Sequence, residues 1–189
     1  MTWQAPSAVP QPGPAGFVYA DLPNRIIAYV IDIVILFVAG IIVSIVLGAV
    51  GLQTVKINLN SAGLVEVNYL AVIIQGLVGV AISAGYFIYT WTRMRGTVGM
   101  KALGMQIGNE GDGATLTQNQ AIKRWIYVGG WISIAQFVNP VPLLVLLVGI
   151  AGLVYIIYLL YTTAQSPTKQ GYHDHQAKTM VVKATRSVA

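Results

Sequence analysis

The 189-residue chain is 56% hydrophobic and only 9% charged, against about 25% charged in an ordinary soluble domain, which excludes the soluble globular class and points to one membrane domain with tails. It has no cysteine, so a disulfide framework, a thiolate metal site and thiol chemistry are excluded. The net charge of +5 sums segments on the two sides of a bilayer, so its distribution matters more than its total, and no nucleic-acid partner is expected.

In chain order, residues 1–20 carry Pro6, Pro10, Pro12 and Pro14 and no charge, which favours a disordered tail over a helix or strand. With no basic n-region and no small-residue cleavage site, this segment and the apolar run after it do not read as a signal peptide, so the first helix is expected to stay as an anchor. That run, from Ile26 to Val50, is long enough to span a bilayer as a helix over about residues 25–50 and holds one charged residue, Asp32. A carboxylate at the centre of a spanning helix costs about 2.5 to 3.5 kcal/mol on insertion scales, so it needs a partner. Arg25 is the nearest candidate: seven residues is close to two helical turns, which puts both side chains on one face about 10 Å apart along the axis. A long arginine reaching inward narrows that gap, directly or through water.

Between Gly51 and Asn68, Val55, Ile57 and Leu59 alternate with polar residues before a Ser61-Ala62-Gly63 turn, and Val65 and Val67 follow it, the pattern of a short hairpin. A charge-free run from Tyr69 predicts a second spanning helix over about residues 69–92, with Tyr86, Tyr89 and Trp91 at the headgroup level. Residues 93–125 are the most polar stretch. There Gly96 and Gly99 break the helix, Lys101 to Gly108 alternates well enough for a strand, Asn109 to Gly113 is turn chemistry, and Thr117 with Gln120 has the form of a capping box.

From Trp125 to Tyr161 there is no charge, so this stretch is either one long helix or two joined at Asn139 to Pro142. Charge separates the options. Four crossings with the N-terminus inside put ten basic residues inside and only Lys56 outside, whereas three crossings give six against five. The expected fold class is therefore an all-α membrane protein, a four-transmembrane-helix bundle with small cytoplasmic and extracytoplasmic β-hairpin elements. Its helices cover about 25–50, 69–92, 118–138 and 143–162 within a domain over 21–183, followed by a tail over 184–189. The third helix is short for a span unless Lys123 and Arg124 reach out to the interface. Small residues at helical spacing, Gly40, Ser44 and Gly48 in the first helix and Ala81 and Gly85 in the second, are the expected packing stripes. Near the end, Thr179 to Lys183 reads as a short strand. It is expected to pair with the strand around Gly104 to Gly108 beneath the bundle, because an isolated strand must satisfy its backbone groups somewhere.

Four pieces, NRIIAYVID from Asn24 to Asp32, RGTVGMKALGMQI from Arg95 to Ile107 with an acidic glycine turn after it, QAIKRW from Gln120 to Trp125, and KQGYHDHQAKTMVV from Lys169 to Val182, occur in one order. Together they resemble the RDD family of bacterial and archaeal membrane proteins, named for one arginine and two aspartates. The resemblance covers about Phe17 to Lys183; Met100 stands where members often carry a lysine, with Lys101 adjacent. It implies a multi-helix inner-membrane domain with Arg25, Asp32 and Asp174 as its triad. The implied role is transport of ions or small ligands, with cation/proton antiport for some members.

Two functional expectations stand side by side. In one, the chain is a small transporter subunit, oligomeric with its own kind, in which Asp32 is a proton or cation site tuned by Arg25. In the other it is a non-catalytic scaffold or accessory protein in which Arg25, Asp32 and Asp174 are structural, Asp174 reaching Arg25 from the cytoplasmic side to latch the tail under the bundle. An enzyme is not expected, since no nucleophile with an adjacent base can be assembled. No metal site or cofactor is expected either: His173 and His175 beside Asp174 lack further ligands, and no GK[ST] follows the glycine-rich stretches. The expected partners are the lipid bilayer, anionic lipids at the cytoplasmic face and a homo-oligomer. The expected location is the plasma membrane with both termini cytoplasmic.

Overall fold

A computed structural model of the chain describes residues 12–13, 16–58, 64–138 and 141–184. The proline-bearing part of the tail other than Pro12, Leu59 and the Ser61 to Gly63 turn, Asn139 and Pro140, and residues 185–189 lie outside the described residues. The elements run β1 (Phe17–Tyr19), α1 (Leu22–Ala49), β2 (Val55–Asn58), β3 (Leu64–Val67), α2 (Tyr69–Arg93), α3 (Val98–Ala102), β4 (Met105–Asn109), α4 (Gln118–Val128), a 3-10 turn (Gly130–Ile134), α5 (Ala135–Val138), α6 (Pro142–Gln165), α7 (Tyr172–Ala177) and β5 (Thr179–Ala184).

Among the described residues, three helices, α1, α2 and α6, are long and apolar enough to cross a membrane. Pro23 and Pro142 stand in the first turns of α1 and α6, where a fixed φ suits a helix start and the missing N–H costs nothing. At the head of α2 the Asn68 side chain accepts from Ala71 N at 3.1 Å. Only Ala28 and Asp32 of α1 are buried, and Val30, Phe37, Ile42 and Ile45 are exposed. An outward apolar surface of that extent belongs in hydrocarbon.

The helix expected over 118–138 is interrupted. Its start is the expected capping box: Thr117 Oγ1 accepts from Gln120 N at 3.3 Å, and Gln120 Oε1 accepts from Thr117 N at 3.1 Å. It stops at Val128 because Gly129 takes φ 140°, a conformation open to glycine and closed to the α-helix. Gly130 is equally constrained, since a Cβ there would run into the Trp125 ring. The adjacent glycines are a break signal that the long charge-free run masks. Close helix packing also falls elsewhere than expected. A Cβ on Gly76 or Gly79 of α2 would collide with Phe137 or Gln136 of α5, whereas Gly40 and Gly85 of the expected stripes meet no neighbour within 4 Å.

Strands β4 and β5 pair antiparallel with Ile107 opposite Val181, the pairing expected from their two short patterns. The sheet has a third member. β1 lies along the other side of β5 with Val18 opposite Lys183, so the element expected as a cytoplasmic hairpin is a β1-β5-β4 sheet, and residues 17–19 are a strand rather than disordered tail. Without β1, β5 would present a bare edge of unpaired backbone groups. At the far end β2 and β3 pair antiparallel with Lys56 opposite Glu66. Because β1, β5 and β4 form one sheet, the chain enters α1, leaves α2, enters α4 and leaves α6 at the same end of the molecule. Phe87, Trp91, Met100, Met105, Ile107 and Val181 pack there as a core between helices and sheet.

Candidate functional site

The sheet end of the bundle is built around one carboxylate. Asp174 is the third residue of α7 and wholly buried. Its Oδ2 first accepts from the backbone N–H of Gly171 at 3.1 Å, closing the start of its own helix. Arg25 Nη1, from α1, donates to the same oxygen at 2.7 Å. Arg124 Nη1, from α4, donates to Oδ1 and also to Thr179 Oγ1 at 2.6 Å, and Thr179 in turn donates to Oδ1 at 3.3 Å. Arg25 is fixed further by bonds from Nε to Ala20 O (3.0 Å) and from Nη2 to Val181 O (3.4 Å). One aspartate therefore ties α1, α4, α7 and β5 together, and its burial is compensated by two cations and two further donors, Gly171 N and Thr179 Oγ1.

The pair expected between Arg25 and Asp32 is not formed among the described residues. Arg25, the fourth residue of α1, turns toward the sheet, where all three of its donor nitrogens are engaged, and Asp32 finds other partners. Its side chain is buried, and Oδ1 accepts from Tyr86 OH at 2.6 Å and from Gly99 N at 2.8 Å. Tyr86 OH accepts from Val98 N at 3.2 Å, Thr97 Oγ1 accepts from Met100 N at 3.1 Å, and Thr97 O accepts from Lys101 N at 2.9 Å. The N–H groups of Val98, Gly99 and Met100, which no intrahelical carbonyl can serve, are thereby all bonded, and Lys101 N makes the first intrahelical bond. Gly99 is obligatory at this junction, since a Cβ would overlap the Ala28 carbonyl of α1. No hydrogen bond reaches Asp32 Oδ2 among the described residues.

The three residues singled out from sequence thus fall into two neighbouring sites, Arg25 with Asp174 and Asp32 with α3. Two contributors were missed. Arg124 lies three residues after the buried Ala121 on α4, while Lys123 is exposed, so the helical phase distinguishes the two basic residues. Composition places Tyr86 and Trp91 with Tyr89 in an interfacial belt, yet Tyr86, Phe87, Thr90 and Trp91 share the core-facing side of α2 and only Tyr89 of the aromatic trio is exposed. Between α1 and α6 a cavity of about 310 Å³ joins the two sites, with Arg25, Asp32, Trp91, Arg124 and His173 in its wall.

Electrostatics follow from this packing. Burial alone would raise the Asp174 pKa, but the surrounding charges, Arg124 foremost, hold it well below the usual carboxylate range. His173, whose Nε2 is 3.4 Å from Asp174 Oδ2, is pushed down to about 4. Burial is the main cause, reinforced by Arg124, Arg25 and His175 against the attraction of Asp174. A depressed histidine pKa means that, as pH falls, the unfolded chain takes up the proton first. This contribution to stability is therefore complete above about pH 6.5 and declines by about 3 kcal/mol as pH drops toward 4. Thermal unfolding of the detergent-solubilised protein should show Tm falling between pH 7 and 5. In His173→Gln that slope should be much shallower, and an unchanged slope would refute the assignment.

Comparison with curated proteins and with solved structures finds no match. Comparison with protein families finds the RDD family over residues 19–178, a span that contains Arg25, Asp32 and Asp174. With most of its length matched and both aspartates and the arginine inside the match, the chain belongs to the RDD family.

Proposed function

We propose that this chain is a non-catalytic membrane module whose arginine and two aspartates are structural, Arg25 and Asp174 latching the sheet and carboxy-terminal segment beneath the bundle and Asp32 docking α3 on α1. The observation that carries this reading is the single buried Asp174 carboxylate shared by Arg25 and Arg124. The chain passes the plasma membrane four times, the segment from α4 through α5 making the third pass, and both termini lie at the cytoplasmic face. Support comes from the shared sheet end and from charge: Arg25, Arg93, Arg95, Lys101 and Lys123 belong to that end, and Lys56 to the other. A broken helix is tolerable at membrane depth when protein covers the break. Here Tyr155 OH donates to Tyr127 O at 2.6 Å, supplying a partner beside the break. Anionic lipid at the basic end belongs to the same proposal. So does a homo-oligomer through the open Gly40 and Ser44 face of α1, beside a groove of about 950 Å³.

The chain has no cysteine, so single cysteines report topology cleanly. Lys56→Cys should react with an impermeant maleimide in intact cells, and Gln176→Cys only after permeabilisation. Reaction of Gln176→Cys in intact cells would overturn the four-pass arrangement. A second reading, proton or cation transport at Asp32, is favoured by one specific observation: the cavity wall includes Asp32, whose Oδ2 accepts no hydrogen bond among the described residues.

A further inference from the structure

We propose that the cavity between α1 and α6 seats the acidic headgroup of an anionic phospholipid, held by Arg124 and Trp91, with the acyl chain leaving sideways between the two helices. Arg124 makes both of its hydrogen bonds through Nη1. Its Nε is buried without a partner, and no bond reaches Nη2 among the described residues. The Nε–Nη2 edge of a guanidinium is a parallel pair of N–H groups, the fork that grips carboxylate or phosphate in bidentate fashion. Trp91 Nε1 is likewise buried without a partner, and Arg124 Cζ lies 5.2 Å from the centroid of the Trp91 ring, so the two unbonded donors belong to stacked neighbours. Buried donors of this kind ask for an acceptor, and none of the described residues supplies one.

Charge and shape narrow the ligand. Arg25 and Arg124 share the one buried Asp174 carboxylate, the exposed Asp21 acts on Arg25 from outside, and burial keeps His173 neutral at pH 7, which leaves Arg124 the less compensated cation in the cavity wall. Asp32, also in the wall, lies about two turns, or roughly 10 Å, farther along α1 and is already held by Tyr86 and Gly99. The remaining wall is largely apolar, and three of its members, Ile26, Ile33 and Ile156, are also exposed on the outside of the bundle, so the cavity reaches the lipid-facing surface. A bare phosphate would leave those walls unfilled. Arg25 near the start of α1 and Trp91 near the end of α2 put the cationic end at headgroup depth, with the apolar part toward the hydrocarbon.

This inference rests on the membrane-spanning, latched reading above, and its test leaves the latch untouched. Delipidated protein in neutral detergent is titrated with phosphatidylglycerol, with phosphatidylcholine of the same chains and with glycerol 3-phosphate, and bound ligand is read by native mass spectrometry. Wild type should hold one phosphatidylglycerol at least tenfold more tightly than phosphatidylcholine. Ile156→Trp, which fills the mouth from an exposed position, should abolish that binding, and Trp91→Phe, which keeps an aromatic face and removes the N–H, should weaken it about tenfold. Ile156→Trp should unfold at the wild-type temperature, so its loss of binding reads the site rather than the fold. Equal binding of the two phospholipids, or full retention by Ile156→Trp, overturns the proposal. Glycerol 3-phosphate binding as tightly as phosphatidylglycerol overturns the lipid in favour of a small anion. A stable Asp174→Asn variant that still holds phosphatidylglycerol would remove the latch and leave this site standing.

Discussion

Replacing Asp174 by asparagine should lower the stability of the solubilised protein by about 3 to 5 kcal/mol, the cost of leaving buried charge without its partner. The shape is conserved, and the amide oxygen can still accept from Gly171 N. What disappears is the one carboxylate that, among the described residues, is ion-paired with both buried guanidinium groups. The two arginines predict a ranking as well as a magnitude. Arg25→Gln and Arg124→Gln each leave a one-to-one ion pair, so each should cost less than Asp174→Asn, whereas two independent pairs would give no such order. Adding Arg124→Met to Asp174→Asn should recover part of the loss, because it removes one of the stranded charges. Thermal unfolding gives the ranking, and trypsin cleavage at Lys178 and Lys183 reports whether the carboxy-terminal segment has come away from the sheet. An Asp174→Asn variant with wild-type Tm and an uncut tail would remove the latch from the account.

The long apolar helices and the β4–β5 pairing could be read from local pattern, because a charge-free run of bilayer length and a short alternation each carry their own physical meaning. Helix rotation and the long-range partners of side chains could not be read that way. Spacing on one helix offers Asp32 only neighbours on that helix, Arg25 among them, whereas the partner Arg25 takes, Asp174, lies 149 residues away in sequence. The aromatic residues near the end of α2 look like an interfacial belt by composition. Their helical phase separates Tyr86 and Trp91, which face the core, from Tyr89, which does not. The same phase argument applied to Lys123 and Arg124 would have found the second arginine of the latch. Gly129 and Gly130 were visible but outweighed by the apolar run around them. What tipped the balance in the fold is the φ of 140° that Gly129 adopts.

Asp32→Asn and Asp32→Leu should separate sharply, and with them the two functional readings. The asparagine Oδ1 can accept from both Tyr86 OH and Gly99 N, as the carboxylate oxygen does, so stability should change by no more than about 1 kcal/mol. Leucine leaves a buried backbone N–H and a tyrosine hydroxyl without an acceptor at about 1 to 3 kcal/mol each, so Asp32→Leu should cost about 2 to 6 kcal/mol and loosen α3 from α1. Arg25 does not enter this balance, since its donors are engaged at Ala20, Asp174 and Val181. If Asp32 only docks α3, reconstituted wild type and Asp32→Asn should be alike in showing no gradient-driven proton or cation movement by a trapped pH-sensitive dye. If Asp32 carries a proton or cation through the cavity, wild type should move it and Asp32→Asn should stop it while remaining folded, because the amide keeps the hydrogen bonds and cannot titrate. Flux in wild type that is lost in a stable Asp32→Asn would replace the structural reading with transport, and a silent wild type with only Asp32→Leu destabilised would leave Asp32 as the acceptor that holds a short helix against the bundle.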